Sequence, residues 1–104
     1  MKIQLNTDSH VKGSESMHEK FSEIVEHGLA HYKDRITRVE IFLADENGRK
    51  KGEDDKRCII EARMQNMNPI SVTHHANNHE VAAKAAIEKL KKSIESTLGK
   101  LDIK

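Results

Sequence analysis

The sequence predicts an α+β fold, one four-stranded sheet with two helices on the same face, and three observations predict it. Two stretches, over residues 17–32 and 83–101, repeat apolar residues at helical spacing. Four short stretches alternate apolar and polar residues instead, as half-buried strands do. Their order along the 104 residues is β-α-β-β-β-α, with polar turn-forming segments between them.

Each element has its own signal. Lys2-Ile3-Gln4-Leu5-Asn6 places apolar side chains two apart before the turn residues Thr7-Asp8-Ser9, a short first strand. Met17, Phe21, Ile24, Val25, Leu29 and Tyr32 then make one helical stripe, and Ser16 with Glu19 matches a capping box. The other side of this helix carries Glu15, Glu19, Lys20, Glu23 and Glu26, an acidic and solvated face. Between Arg35 and Ala44 the period returns to two, with Val39, Ile41 and Leu43 on one side and Arg38, Glu40 and Phe42 on the other. Asp45 to Asp55 contains two glycines and no apolar residue, and reads as an exposed, mobile loop. Residues 56–64 alternate Cys58, Ile60, Ala62 and Met64 with Arg57, Ile59, Glu61 and Arg63; Asn66-Met67-Asn68-Pro69 then turns the chain into a fourth strand, Ile70-Ser71-Val72-Thr73. From Glu80 a second helix follows, with Ala83, Ile87, Leu90, Ile94, Leu98 and Leu101 in one stripe and Lys84, Lys89, Lys91 and Lys92 elsewhere on its surface.

Composition narrows the function. A chain of this length is expected to fold as a single domain over residues 1–104. A lone cysteine, Cys58, and no charged-then-apolar leader point to a reducing cytoplasmic compartment. No apolar run approaches the ~20 residues that cross a bilayer, so no membrane partner is expected. Phe21, Phe42 and Tyr32 are the only aromatics, too few for an aromatic-lined small-molecule pocket or a platform for stacked bases.

Catalytic and metal signatures are missing. No nucleophile elbow, phosphate-binding loop or dinucleotide fingerprint occurs, and the expectation is a protein that is not an enzyme and holds no cofactor. Cys58 sits on an apolar strand face, where a thiol is inert. Seven histidines are many for this length. His74, His75 and His79 cluster, and Glu23, His27 and His31 are spaced four apart, yet neither set comes with a zinc signature, and His74 and His75 face opposite sides of a strand. A histidine-centred metal site or pH response stays open as a lesser alternative. Asp45, Asn47 and Arg49 place a cation where a calcium loop needs oxygen.

The formal net charge of +1 conceals an uneven distribution. Residues 1–32 hold 3 basic and 5 acidic side chains, residues 33–63 hold 9 and 8, residues 64–79 none, and residues 80–104 hold 6 and 4. Arg35, Arg38, Arg49, Lys50, Lys51, Lys56, Arg57 and Arg63, with the lysines of the second helix, could form a phosphate-binding surface. A mixed-charge solvated surface is the alternative reading of the same residues.

Arg35-Ile36-Thr37-Arg38-Val39-Glu40, with Asp45-Glu46-Asn47-Gly48, Asp54-Asp55-Lys56-Arg57-Cys58, Glu61-Ala62-Arg63, Val72-Thr73-His74 and the helix containing Ala82-Ala83, Ala86-Ile87 and Glu88-Lys89-Leu90, resembles the ribosome hibernation-promoting factors. These are also called the sigma-54 modulation or S30AE family, and the chain is similar to a short, divergent ribosome-associated branch over nearly its whole length. The resemblance implies a fold like that of double-stranded RNA-binding domains. It implies, too, a non-catalytic role: binding 16S-type rRNA of the small ribosomal subunit and silencing translation under stress by filling the decoding channel. Carried over by position, it implies RNA contacts at Arg35, Lys89 and Lys92, and the basic neighbours Arg38, Arg63, Lys84 and Lys91 extend the set. The chain departs from the family in helix 1, where Glu23, Glu26 and Gly28 stand in place of lysines, and after helix 2, where a basic tail is missing. A protein-interaction module that keeps the fold without rRNA affinity is the alternative function.

Overall fold

The computed structural model describes residues 1–9, 11–46 and 54–102, without the side chains of 101 and 102. The elements follow the expected order: β1 (Lys2–Thr7), α1 (Glu15–Gly28), a 3-10 turn (Ala30–Tyr32), β2 (Ile36–Asp45), β3 (Lys56–Met64), β4 (Ile70–Ala76) and α2 (His79–Asp102). The strands lie side by side as β1-β2-β3-β4, with β1 parallel to β2 and the other two pairs antiparallel. Parallel neighbours need a crossover, and α1 supplies it between β1 and β2.

The alternation seen in the sequence becomes the two faces of this sheet. Val39, Ile41 and Leu43 of β2 and Cys58, Ile60 and Ala62 of β3 are at most 1% exposed. Phe21 and Val25 of α1 and Ala82, Ala86, Ile87, Leu90 and Ile94 of α2 cover them, so both helices sit on one face. Ile3 and Leu5 of β1 and Ile70 and Val72 of β4 pack half-buried at the margins of the same core. On the uncovered face Phe42 is 38% exposed.

A bulge adjusts β2 at its start. Ile36 pairs with Met64, but Arg38 pairs with Arg63, leaving Thr37 as an extra residue. The shift reverses the parity of the strand, so Ile36 is buried although it stands an odd number of residues from Val39. The Thr37 hydroxyl secures the bulge by donating to the Arg63 carbonyl at 3.0 Å.

The helices approach closely at one point. A Cβ on Gly28 would lie 2.5 Å from Cγ2 of Ile87, so no larger residue fits there without displacing the Ile87 side chain of α2. Past this point the chain leaves α1 through Leu29, whose amide bonds the Val25 carbonyl at 2.8 Å, and enters the 3-10 turn. Tyr32 thus belongs to that turn, not to the helix, yet three-residue spacing keeps it on the side of Leu29. Its hydroxyl donates to Glu95 of α2 at 2.9 Å, and burial together with that carboxylate raises the phenol above its usual range.

Other boundaries differ from the sequence expectation as well. Ser14, not Ser16, caps α1, its hydroxyl accepting from the Met17 amide at 3.2 Å, and this leaves Glu15 in the first turn, where the helix dipole favours an anion. Strand β4 runs past Thr73 to Ala76 because β3 offers it partners as far as Lys56. Helix α2 starts at His79, after Asn78 accepts from the Val81 amide at 2.8 Å. The expected loop over 45–55 falls mainly on residues 47–53, which lie outside the described residues together with Arg49, Lys50 and Lys51. The side chain of Leu101 lies outside them as well.

Candidate nucleic-acid interface

Burying Ala82, Ala83, Ala86, Ile87, Leu90 and Ile94 against the sheet turns the remaining surface of α2 outward, and with it the four lysines expected to meet phosphate. Lys84 is exposed and pairs with Glu80 at 3.4 Å, one turn earlier. Glu80 also reaches Lys20 of α1 at 3.1 Å, so it bridges the two helices; Lys20 first and Lys84 second hold its carboxyl below the usual range. Lys91 pairs with Glu88 at 3.6 Å. Lys89 reaches the other way, donating to the Thr73 carbonyl at 2.9 Å along the outer edge of β4. Such a contact occupies an edge carbonyl that would otherwise invite another strand. Lys92 is exposed and makes no ion pair among the described residues.

The three arginines lie elsewhere. Arg35 precedes β2 and is exposed; its amide donates to the Tyr32 carbonyl at 2.9 Å and its carbonyl accepts from Gln65 at 3.3 Å. Arg38 and Arg63 are register neighbours on the uncovered face. Arg38 pairs with Glu40 at 3.2 Å and also donates to the Gln4 side chain, while Arg63 pairs with Glu61 at 3.4 Å. The seven expected residues therefore do not form one patch. Arg38 and Arg63 lie on the open side of the sheet, and Lys84, Lys91 and Lys92 on the helix layer. Lys89 marks the edge between the two sides.

Between α1 and α2 a cleft of ≈ 470 Å³ opens, with Ile24, Gly28 and Ile87 along its floor and Lys20, Glu23, Glu80, Lys84 and Glu88 at its rim. Its walls carry both signs of charge. Glu15, Glu19, Glu23 and Glu26 make the exposed side of α1 acidic, as its sequence predicts.

The histidines part company once folded. His74 pairs in register with Cys58 on the helix side, whereas His75 pairs with Arg57 on the open side. His75 Nε2 lies 2.9 Å from Glu46, which also receives Arg57 at 3.3 Å. His79 Nε2 sits 3.0 Å from the Ala44 carbonyl. His31 stands in the 3-10 turn, edge-on to the Tyr32 ring at 5.0 Å, and so leaves the helical line of Glu23 and His27. Among the described residues no three His, Cys, Asp or Glu side chains are placed to hold a metal. Cys58 is fully buried, and burial pushes its thiol up to about 12.

Sequence reasoning missed the Glu46–Arg57–His75 cluster. The alternation in β3 put Arg57 on the polar side, but Glu46, just past the end of β2, and His75, its register neighbour on β4, join it only when the strands pair.

The family described as Sigma 54 modulation protein / S30EA ribosomal protein matches residues 6–102. No curated protein sequence matches the chain. Among solved structures, the crystal structure of the Thermus thermophilus Protein Y N-terminal domain is similar with a TM-score of 0.74 and 12% identity, covering 93% of this chain and 99% of that one. A ribosomal subunit interface protein from Coxiella burnetii is similar with a TM-score of 0.73 and 15% identity, covering 95% and 99%. At these identities the likeness is one of fold. No helix among the described residues is long and apolar enough to cross a membrane.

Proposed function

Because this chain belongs to the Sigma 54 modulation protein / S30EA ribosomal protein family, a ribosome-associated family, we propose that it is a cytoplasmic, non-catalytic factor that binds small-subunit rRNA and silences translation under stress by occupying the decoding channel. The observation that carries this reading is the family match over residues 6–102. Mechanism would then be steric, with the body of the domain, over 1–104, excluding tRNA and mRNA while cations neutralise rRNA phosphates. Of the seven expected residues, Arg35 and Lys92, which make no ion pair among the described residues, are the most ready for phosphate. Lys84, Lys91 and Arg63 lean on neighbouring carboxylates in pairs at the surface, which hold by only about 0–1 kcal/mol, so a phosphate can displace them, and Arg38 leans on the less exposed Glu40. Lys89, bonded to Thr73, sits where the helix layer meets the sheet edge.

Co-sedimentation with ribosomes over a salt series tests the reading. The pellet should vanish steeply as salt rises. Lys84→Glu with Lys92→Glu should lower the salt slope by about two, roughly one for each phosphate that is no longer neutralised. A doubly reversed protein that pellets as wild type does at every salt concentration would place the contact surface elsewhere than α2.

A second reading has an observation of its own. The exposed carboxylates Glu15, Glu19, Glu23 and Glu26 suit a basic protein partner better than rRNA, and the domain would then be a protein-interaction module. Partners that stay bound to the protein after ribonuclease treatment would favour it.

A further inference from the structure

The uncovered face of the sheet carries its charge in rows. Side chains on this face recur every second residue, so register neighbours form rows about 6.7 Å apart along the strands. Lys2, Arg38 and Arg63 make the first row, and Glu40 and Glu61 stand in the second. Phe42 and Ile59 are the third, Arg57 and His75 are in the fourth. Glu46 starts a fifth, its amide bonded to the Asp55 carbonyl at 3.0 Å. Four cations thus stand against Glu40, Glu46 and Glu61 around an apolar centre. A polyanion favours a large excess of cations, whereas an apolar centre ringed by both signs in nearly equal number is the pattern of a protein-binding surface.

Two pairs of positions in these rows are also self-complementary. Arg38 of β2 and Glu46, one residue past its end, lie four residues on either side of Phe42; on β3, Glu61 and Arg57 lie two residues on either side of Ile59. A half-turn about an axis crossing the strands at the Phe42–Ile59 row exchanges Arg38 with Glu46 and Glu61 with Arg57. We infer that this face docks a second copy of the same chain, face to face, with β2 over β2 and β3 over β3. Phe42 and Ile59 of both copies meet at the centre, Arg57 of each copy faces Glu61 of the other, and Arg38 of each faces Glu46 of the other. This is the isologous contact that two-fold symmetry requires.

Energetics make the association reversible. Within one chain these charges rest on neighbours, Arg38 on Glu40, Arg63 on Glu61 and Arg57 on Glu46, in pairs exposed enough to exchange. Two sheets packed face to face keep their strands within about 30° of alignment, so the central row and the Arg57–Glu61 pairs stay best matched. Four strands about 4.8 Å apart and five rows about 6.7 Å apart cover roughly 500 Å² per copy, about 1,000 Å² in all, at the low end for a specific interface. The helix layers stay on the outside of such a pair. The inference therefore stands apart from the ribosome reading.

Sedimentation velocity on the intact chain, up to millimolar protein in low and high salt, tests it. Wild type should pass from monomer to dimer as concentration rises, and salt should weaken the dimer. Glu61→Arg and Arg57→Glu, each alone, set like charges against each other and should weaken self-association at least about tenfold. An equimolar mixture of the two variants restores both opposite-charge contacts and should associate again, which also shows that each variant is folded. Monomer at every wild-type concentration would overturn the inference, as would a dimer indifferent to both reversals. If wild type stays monomeric while the two reversals abolish ribosome co-sedimentation, the face belongs to the ribosome instead.

Discussion

Val39, Ile41 and Leu43 alternate along β2 with Arg38, Glu40 and Phe42, and the two sets, each residue touching the next in the chain, end in opposite circumstances. The first set lies beneath both helices and is essentially sealed from water. The second stays on the open side, where Arg38 and Glu40 pair with each other half-exposed and Arg38 also reaches Gln4 of β1. Burial is worth about 25 cal/mol per Å² of apolar surface, and an exposed ion pair about 0–1 kcal/mol. The covered face therefore sustains the fold, while the open face can change partners without unfolding the protein.

Paired substitutions on neighbouring residues break this comparison most sharply. Ile60→Ala should cost about 2–5 kcal/mol, since Ile60 is fully buried and its cavity cannot close against both strands and helices. Ile59→Ala, one residue away on the open face, should cost about 1 kcal/mol or less. Urea unfolding of the two variants at low protein concentration measures both, and equal destabilisation would mean that the open face is covered after all.

A smaller effect comes from the helix layer itself. Gly28→Ala puts a methyl group 2.5 Å from Ile87 Cγ2, and should destabilise by about 1–3 kcal/mol although alanine is the better helix former. A variant that melted higher than wild type would show that α1 and α2 can separate there at little cost.

The smallest effect concerns the outer rim, where Glu80 joins Lys20 and Lys84. Its folded carboxyl lies below the unfolded value, so its contribution is present above the ordinary glutamate range and is lost as pH falls through the folded value. Glu80→Gln should melt slightly below wild type at neutral pH, and the two curves should converge in acid. Thermal unfolding at neutral and acidic pH checks this; a gap that persisted in acid would trace the effect to packing instead of charge.

Much of the fold was legible beforehand because its signals are local. Six elements, their order and the buried set of β2 and β3 all follow from periods of two and of about 3.6, which neighbouring residues carry among themselves. Boundaries were read less well. Two serines at 14 and 16 compete for the same cap, and only Ser14 lets Glu15 enter the first turn. Tyr32 kept the helical spacing while leaving the helix, since a 3-10 turn also returns a side chain to one side after three residues. Candidate cations were legible as residue types but not as a surface: nothing local says that Lys89 would turn to a strand carbonyl or that Glu80 would bind lysines of both helices.

The amino-acid sequence by itself determined the buried stripe of β3 and most of that of β2, which stretches would be helix or strand, and the family to which the chain belongs. Tertiary structure alone decided the strand order, the bulge at Thr37 that buries Ile36, the meeting of Arg57, Glu46 and His75, and the matched rows around Phe42 and Ile59. The reason is register. An alternating strand tolerates a shift of two residues with the same face still buried, so its pattern names a face without naming its partners, and the partners are selected only when the whole sheet closes under its helices.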